Sequence, residues 1–222
     1  PPLATTRRTL LLGALITAGL STAAPLPAAW AAGEIPQGDL FTDAQFQIWV
    51  PKGFFKSRRK VKEGTLFTSG NLKTAEIISV QKLSTEKLLM DAGVAPTGDL
   101  SESWETSIGK PEIVAALVAK ARDNDAKNSN GVPSKVEKGS VSASGSTLNF
   151  RMISEMSTTK DPIKRVTVVR AELLPNRSYM AAWGSCLEED FNSDTRARLE
   201  YALKSLVPRT EETSDEVKKL LK

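Results

Sequence analysis

Two clusters in this chain carry enough like charge to do chemistry or to recognise something. Lys52, Lys56, Arg58, Arg59, Lys60 and Lys62 crowd one polar loop between positions 52 and 62, a local positive patch able to steer an acidic partner. The same loop also reads as a solvated segment that keeps a sheet edge from aggregating. Glu188, Glu189 and Asp190 concentrate hard oxygen ligands, so calcium is the candidate ion, the alternative being a dipole complement or cap at a helix start. Beyond calcium, the sequence assigns no cofactor. Cys186 follows Trp183-Gly184-Ser185 with no CxxC spacing, which reads as a structural thiol.

The chain has no histidine and one cysteine, so it offers no imidazole for a metal, a base or a triad, and no internal disulfide. The serine-rich run from Gly139 to Gly145 would need a lysine partner to supply a nucleophile, and none of its serines is followed by lysine at SxxK spacing; it reads as a turn or bulge between strands. No P-loop, GxGxxG, HExxH, EF-hand or GxSxG pattern occurs. The expectation is a protein that is not an enzyme. Nucleic acid is also excluded as a partner, because the basic patch lacks interleaved aromatics and the amino-terminal segment directs export.

That segment has Arg7-Arg8 ahead of the apolar run Leu10 to Leu20, then Ala29-Trp30-Ala31. Arg7, Arg8, Ala29 and Ala31 thus mark residues 1–31 as a cleavable twin-arginine targeting segment. Pro25 and Pro27 interrupt it, against a membrane anchor of ~20 apolar residues. No acidic residue precedes Glu34, so cleavage removes two arginines and lowers the net charge from +4 to +2. The opening Pro1-Pro2 fits a two-stage address whose first part lies upstream.

The remaining chain suits one domain, and its composition, 40% hydrophobic and 25% charged, is that of a globular protein. Alternation places a strand at Phe46 to Val50, with Phe46, Ile48 and Val50 on one face and Pro51-Lys52-Gly53 as its stop. Further strands are expected at Leu66 to Ser69, Ala75 to Lys82, Ser146 to Met156, Ile163 to Leu174 and Arg177 to Gly184, the last two joined as a hairpin by Pro175-Asn176. Helical spacing appears at Pro111 to Arg122, where Ile113, Leu117 and Ala121 recur, and at Ser193 to Leu206, with Leu199, Leu203 and Leu206 as its buried stripe. A shorter helix covers Thr85 to Asp91. Asp123 to Ser134 reads as an exposed mobile loop, and residues 208–222 as a polar tail. This order favours an α+β domain with a mostly antiparallel sheet.

Phe41-Thr42-Asp43 followed by Phe46-Gln47-Ile48-Trp49-Val50-Pro51-Lys52-Gly53-Phe54 resembles the opening of the PsbP family. Ser107-Ile108-Gly109-Lys110-Pro111-Glu112-Ile113-Val114 is similar to that family's approach to its long helix. Ser178 to Trp183, then a helix ending Leu203-Lys204-Ser205-Leu206-Val207, resembles its last strand and helix. The similarity spans about 39–207, the PsbP-like domain, and its specificity lies in the order and spacing of these motifs together with the twin-arginine signal.

The resemblance implies an α/β/α sandwich, an antiparallel β-sheet flanked by helices on both faces. It implies a non-catalytic extrinsic protein of the chloroplast thylakoid lumen, peripheral on the thylakoid membrane, whose partners are lumen-facing subunits of a photosystem. Its roles would be a photosystem II oxygen-evolving complex auxiliary or a photosystem assembly factor. The alternative is a lumenal small-ligand or calcium-binding module. Phe54 stands where the family carries tryptophan, its metal-contacting histidines have no counterpart, and Ala32 to Leu40 is unlike the founding subunit's longer arm. A divergent PsbP domain-containing protein is therefore implied.

Overall fold

The computed structural model of the protein describes residues 36–58, 64–95, 103–125, 132–156 and 161–209; the predicted targeting segment, with Arg7, Arg8, Ala29 and Ala31, and residues 210–222 of the predicted tail lie outside them. In chain order the elements are β1 (Gly38–Thr42), β2 (Phe46–Pro51), β3 (Phe55–Lys56), β4 (Thr65–Asn71), β5 (Glu76–Ser84), α1 (Thr85–Asp91), α2 (Trp104–Ser107), α3 (Pro111–Asp125), β6 (Lys135–Val136), β7 (Ser142–Ser144), β8 (Thr147–Met156), β9 (Ile163–Leu174), β10 (Ser178–Leu187), α4 (Ser193–Lys204) and β11 (Val207–Pro208). The large sheet runs β3-β4-β5-β10-β9-β8-β6, with β7 also paired to β8, and a small sheet runs β1-β2-β11. All of these pairings are antiparallel, as an α+β domain of this strand order requires.

β10 lies at the centre of the large sheet and is buried from Ser178 to Cys186. Side chains alternate across a strand, so its odd and even positions meet different neighbours. Tyr179, Ala181 and Trp183 join Leu148, Phe150, Met152, Val169 and Ala171 in one core with Trp104 of α2 and Val114, Ala115, Val118 and Ala119 of α3. Arg122, one turn beyond Val118, lays its guanidinium 4.3 Å from the Trp183 ring centre. Burial lowers its pKa to about 10, against the pull of Asp123 and with the help of Arg165. At the even positions Gly184 faces α4, where a Cβ would lie 3.0 Å from Leu203 Cδ1 and 3.3 Å from Leu199. Only a residue without a side chain lets the helix sit this close.

The small sheet is joined to this scaffold by aromatic packing. Phe41 of β1 lies 4.5 Å from Phe67 of β4, and Trp49 of β2 meets Tyr201 of α4 edge-on at 4.8 Å. Ser205 ties the same corner, its Oγ accepting from Trp49 N–H at 2.7 Å and donating to the Ala202 carbonyl at 2.6 Å. A partly buried ion pair fastens α4 at its middle: Arg198 donates to both carboxylate oxygens of Glu76 in β5, at 3.1 and 2.6 Å.

The strands and helices expected from periodicity appear, with local corrections. The β9–β10 hairpin loop is Pro175-Asn176-Arg177, one residue longer than predicted, because Ser178 pairs with Leu174 and Arg177 takes a left-handed conformation, φ 51°. On β2, Trp49 is buried while Val50 is only half-buried, since Tyr201 covers the face opposite Phe46 and Ile48. On α3 the buried stripe is Val114, Ala115, Val118 and Ala119, and Ile113 is exposed. The loop expected from Asp123 begins in helix, and its far end is pinned where Ser134 donates both N–H and Oγ–H to the Asp123 carboxylate, each at 2.7 Å. The serine-rich turn contains β7. The domain also extends past its expected end at 207: Pro208 pairs with Phe46, and Arg209 N–H donates to the Gln45 carbonyl at 2.7 Å.

Candidate functional site

The predicted basic loop is not one loop. Lys52 lies in the turn after β2, made possible by Gly53 at φ 87°, and its Nζ donates to Gln37 Oε1 at 3.4 Å. Lys56 belongs to β3, an edge strand paired with Gly70 and Ser69 of β4, and its ammonium sits 4.8 Å from the Phe41 ring centre. Arg58 follows the strand, and all three cations are exposed. Arg59, Lys60 and Lys62 lie outside the described residues. Charge on a short edge strand discourages pairing with a second chain.

The acidic run does not open a helix. Glu188–Asp190 forms its own 3₁₀ turn, while Asn192 caps α4 by accepting from the N–H groups of Asp194 and Thr195 at 3.1 and 2.9 Å. Glu188, Glu189 and Asp190 are exposed, and Glu188 lies 4.0 Å from the Lys164 ammonium. Among the described residues, no group of three or more Cys, Asp or Glu side chains is placed to hold a metal ion. Cys186 is fully buried on β10. Burial, then the nearby Glu76 carboxylate, pushes its thiol up to about 11, a smaller push from Asp190 adding to them and Arg165 and Arg198 opposing.

A third grouping was not legible as a site. Between α4 and the β7–β9 region lies an open cleft of about 310 Å³. Arg151 of β8, Arg170 of β9, and Arg196 and Lys204 of α4 line it, with the polar side chains of Ser142 and Asn149. The register Asn149↔Arg170 and Arg151↔Val168 sets these side chains on one face of the sheet. Among the described residues Glu200 is the one carboxylate of the lining, and it serves two cations, accepting from Arg196 Nε at 2.7 Å and lying 3.6 Å from Lys204 Nζ. Arg151 is held from outside by Glu137, at 2.9 and 3.1 Å. Arg170 is held more loosely, 3.3 Å from a Glu172 carboxylate that already accepts from Ser146 and Thr147 at 2.8 Å each. Its Nε is shielded from solvent and meets no acceptor.

Each cleft cation looked like an ordinary polar position of an amphipathic element. The signals present were local ones: Asn149 and Arg151, Val168 and Arg170 at strand spacing, and Arg196, Glu200 and Lys204 at helical spacing. Nothing local says that these faces meet.

No family model matches the chain, and no curated protein matches it. Among solved structures, a protein from Bacteroides thetaiotaomicron VPI-5482 is similar over 79% of this chain at 10% identity, with a TM-score of 0.41. The similarity covers 50% of that structure's length, so the chain spans about half of it, and the likeness is too slight to carry an argument about fold or function.

Proposed function

We propose that this chain is a non-catalytic extrinsic protein of the PsbP type. It works in the thylakoid lumen on lumen-facing photosystem subunits, as an oxygen-evolving complex auxiliary or an assembly factor. In this reading the domain is an α/β/α sandwich, with α1 to α3 over one face of the large sheet and α4 over the other. The observation that carries it is where the motifs fall: the first spans β1, β2 and the Gly53 turn, the second the step from α2 into α3, and the last β10 and the end of α4. Phe41, Phe46, Trp49 and Trp183, which the motifs share, are aromatic anchors of the core. Motifs made of core and turn residues support a shared fold, and the partner face then lies elsewhere, on exposed charge.

The basic edge is that face in this proposal, and it would meet acidic lumenal segments. Attraction between exposed charges is screened as the Debye length shortens from ~10 Å at 0.1 M salt to ~3 Å at 1 M, so salt without detergent is expected to release the protein from thylakoid membranes. Reversing Lys52, Lys56, Arg58, Arg59 and Lys60 to glutamate in the full chain is expected to remove that association. Unchanged association, with unchanged circular dichroism, would overturn docking through this edge. Loss of the protein with both photosystems separately unimpaired would overturn the photosystem reading itself. The cleft beside α4 gives the second reading, a small-ligand module, an observation of its own.

A further inference from the structure

We infer that the protein pairs with a second copy of itself through one end of the large sheet, the β4–β5 turn of each copy seating in a groove beside β9 and β10 of the other. This does not depend on the photosystem reading. Leu72 opens that turn, just beyond the paired ends Asn71 and Glu76, and is 95% exposed. One exposed leucine is ordinary; what sets this one apart is how it is held and what lies beside it. Asn71 Oδ1 accepts from Lys73 N–H at 3.0 Å, and the Ala75 carbonyl accepts from Arg165 Nη2 at 2.6 Å, so the turn is braced at both ends. A side chain presented on a braced turn brings less ordering cost to a contact than one on a loose loop.

The groove is an open volume of about 510 Å³, lined by Pro162, Ile163 and Lys164 where β9 begins and by Leu187, Glu188 and Glu189 where β10 runs out. Ile163 and Leu187 give it apolar wall, and Ile163 is 41% exposed. Its two carboxylates face one ammonium, that of Lys164, which lies 4.0 Å from Glu188. Among the described residues neither Glu189 nor Lys73 has an ion-pair partner. The tip therefore carries a leucine beside a cation, and the groove carries apolar wall beside anions. Both stand at the same end of the sheet, because Ile77 pairs antiparallel with Ser185, and Arg165, next to Lys164, reaches across to the turn. Leu72 leaves its own groove unfilled, since almost all of it is in solvent. With tip and groove adjoining on one surface, a single two-fold rotation seats both tips at once, the self-complementary arrangement of a symmetric dimer. Contacts of this size make a weak dimer.

The test is sedimentation equilibrium of the full chain at low ionic strength. A monomer–dimer equilibrium with a Kd below about 1 mM is expected. Leu72→Asp is expected to weaken it at least roughly tenfold, and Lys73→Glu by a similar factor. Adding Glu188→Lys and Glu189→Lys to Lys73→Glu is expected to restore the parent Kd to within about threefold, since the exchanged charges again face each other across the two-fold. Lys56→Gln with Arg58→Gln is expected to leave the Kd unchanged, which separates this surface from docking through the basic edge. All of these side chains stand at least half in solvent or at the surface, and unchanged circular dichroism checks that each variant folds. A protein that stays monomeric up to about 1 mM would leave the tip to a different partner and overturn the inference. A dimer indifferent to Leu72→Asp, one not restored by the charge exchange, or one lost in the edge variant would overturn it as well.

Discussion

The basic edge and the α4 cleft are both cationic, but they are built in opposite ways. The edge takes its charge from one stretch of chain, and its described cations stand in solvent on a short strand and the turn before it. The cleft draws Arg151, Arg170, Arg196 and Lys204 from a 54-position span and brings them together only when α4 lies on the sheet. An edge of this kind keeps its charge even if the fold loosens. The cleft exists only while α4 is docked, so anything that frees the helix erases it.

The largest expected effect therefore comes from the fastening of α4. Glu76 is 2% exposed and Arg198 about one-third exposed, so removing the carboxylate leaves a partly buried cation without its partner. Glu76→Ala is expected to lower the unfolding free energy by about 3 kcal/mol in urea denaturation, while salt-releasable association through the edge persists. A variant within about 0.5 kcal/mol of the parent would mean that the pair does not hold the helix, and the contrast between the two regions would fail.

A somewhat smaller effect is set by Cys186, two residues beyond Gly184 on β10. Unfolded, the thiol loses its proton near its ordinary value of 9.0, and folded it keeps the proton until about 11. The native state then binds more protons between those values, so stability falls as pH rises through this window. Cys186→Ala is expected to flatten that slope, whatever its cost at neutral pH. Identical alkaline slopes in parent and variant would show that the thiol is not shielded.

The smallest effect belongs to the edge. Lys56→Ala removes one exposed cation and its contact with Phe41, and is expected to change stability by about 0.5 kcal/mol. A loss several times larger, read from the same denaturation curves, would show that the edge is woven into the core and erase the distinction from the cleft.

Much of the scaffold was legible in sequence because its signals are local. Ile163–Leu174 was marked as a strand along its whole length, α1 as a short helix, and Leu199 and Leu203 by their helical recurrence. The strands that were missed are those that exist by pairing, and α2, a single turn, was missed as well. β1, β3, β6, β7 and β11 are two to five residues long, and a short strand has too few positions to show a period; it becomes strand because a neighbour offers hydrogen bonds. The hairpin loop lengthened for a related reason, since Arg177 entered a left-handed conformation that no residue type there advertised.

By itself, then, the sequence determined that these 222 residues offer no imidazole and no internal disulfide, and it determined the class of domain, the long elements and the basic run at the edge. These follow from composition and from periodicities of two and 3.6 residues, which are properties of neighbouring positions. Tertiary structure alone decided that Glu76 meets Arg198 across 122 positions, that Gly184 is where α4 comes nearest the sheet, and that four cations share one cleft. Those outcomes depend on which faces meet and in what register. That is fixed by packing over the whole core, because a one-residue slip of a strand would send Arg170 and Arg151 to the other side of the sheet.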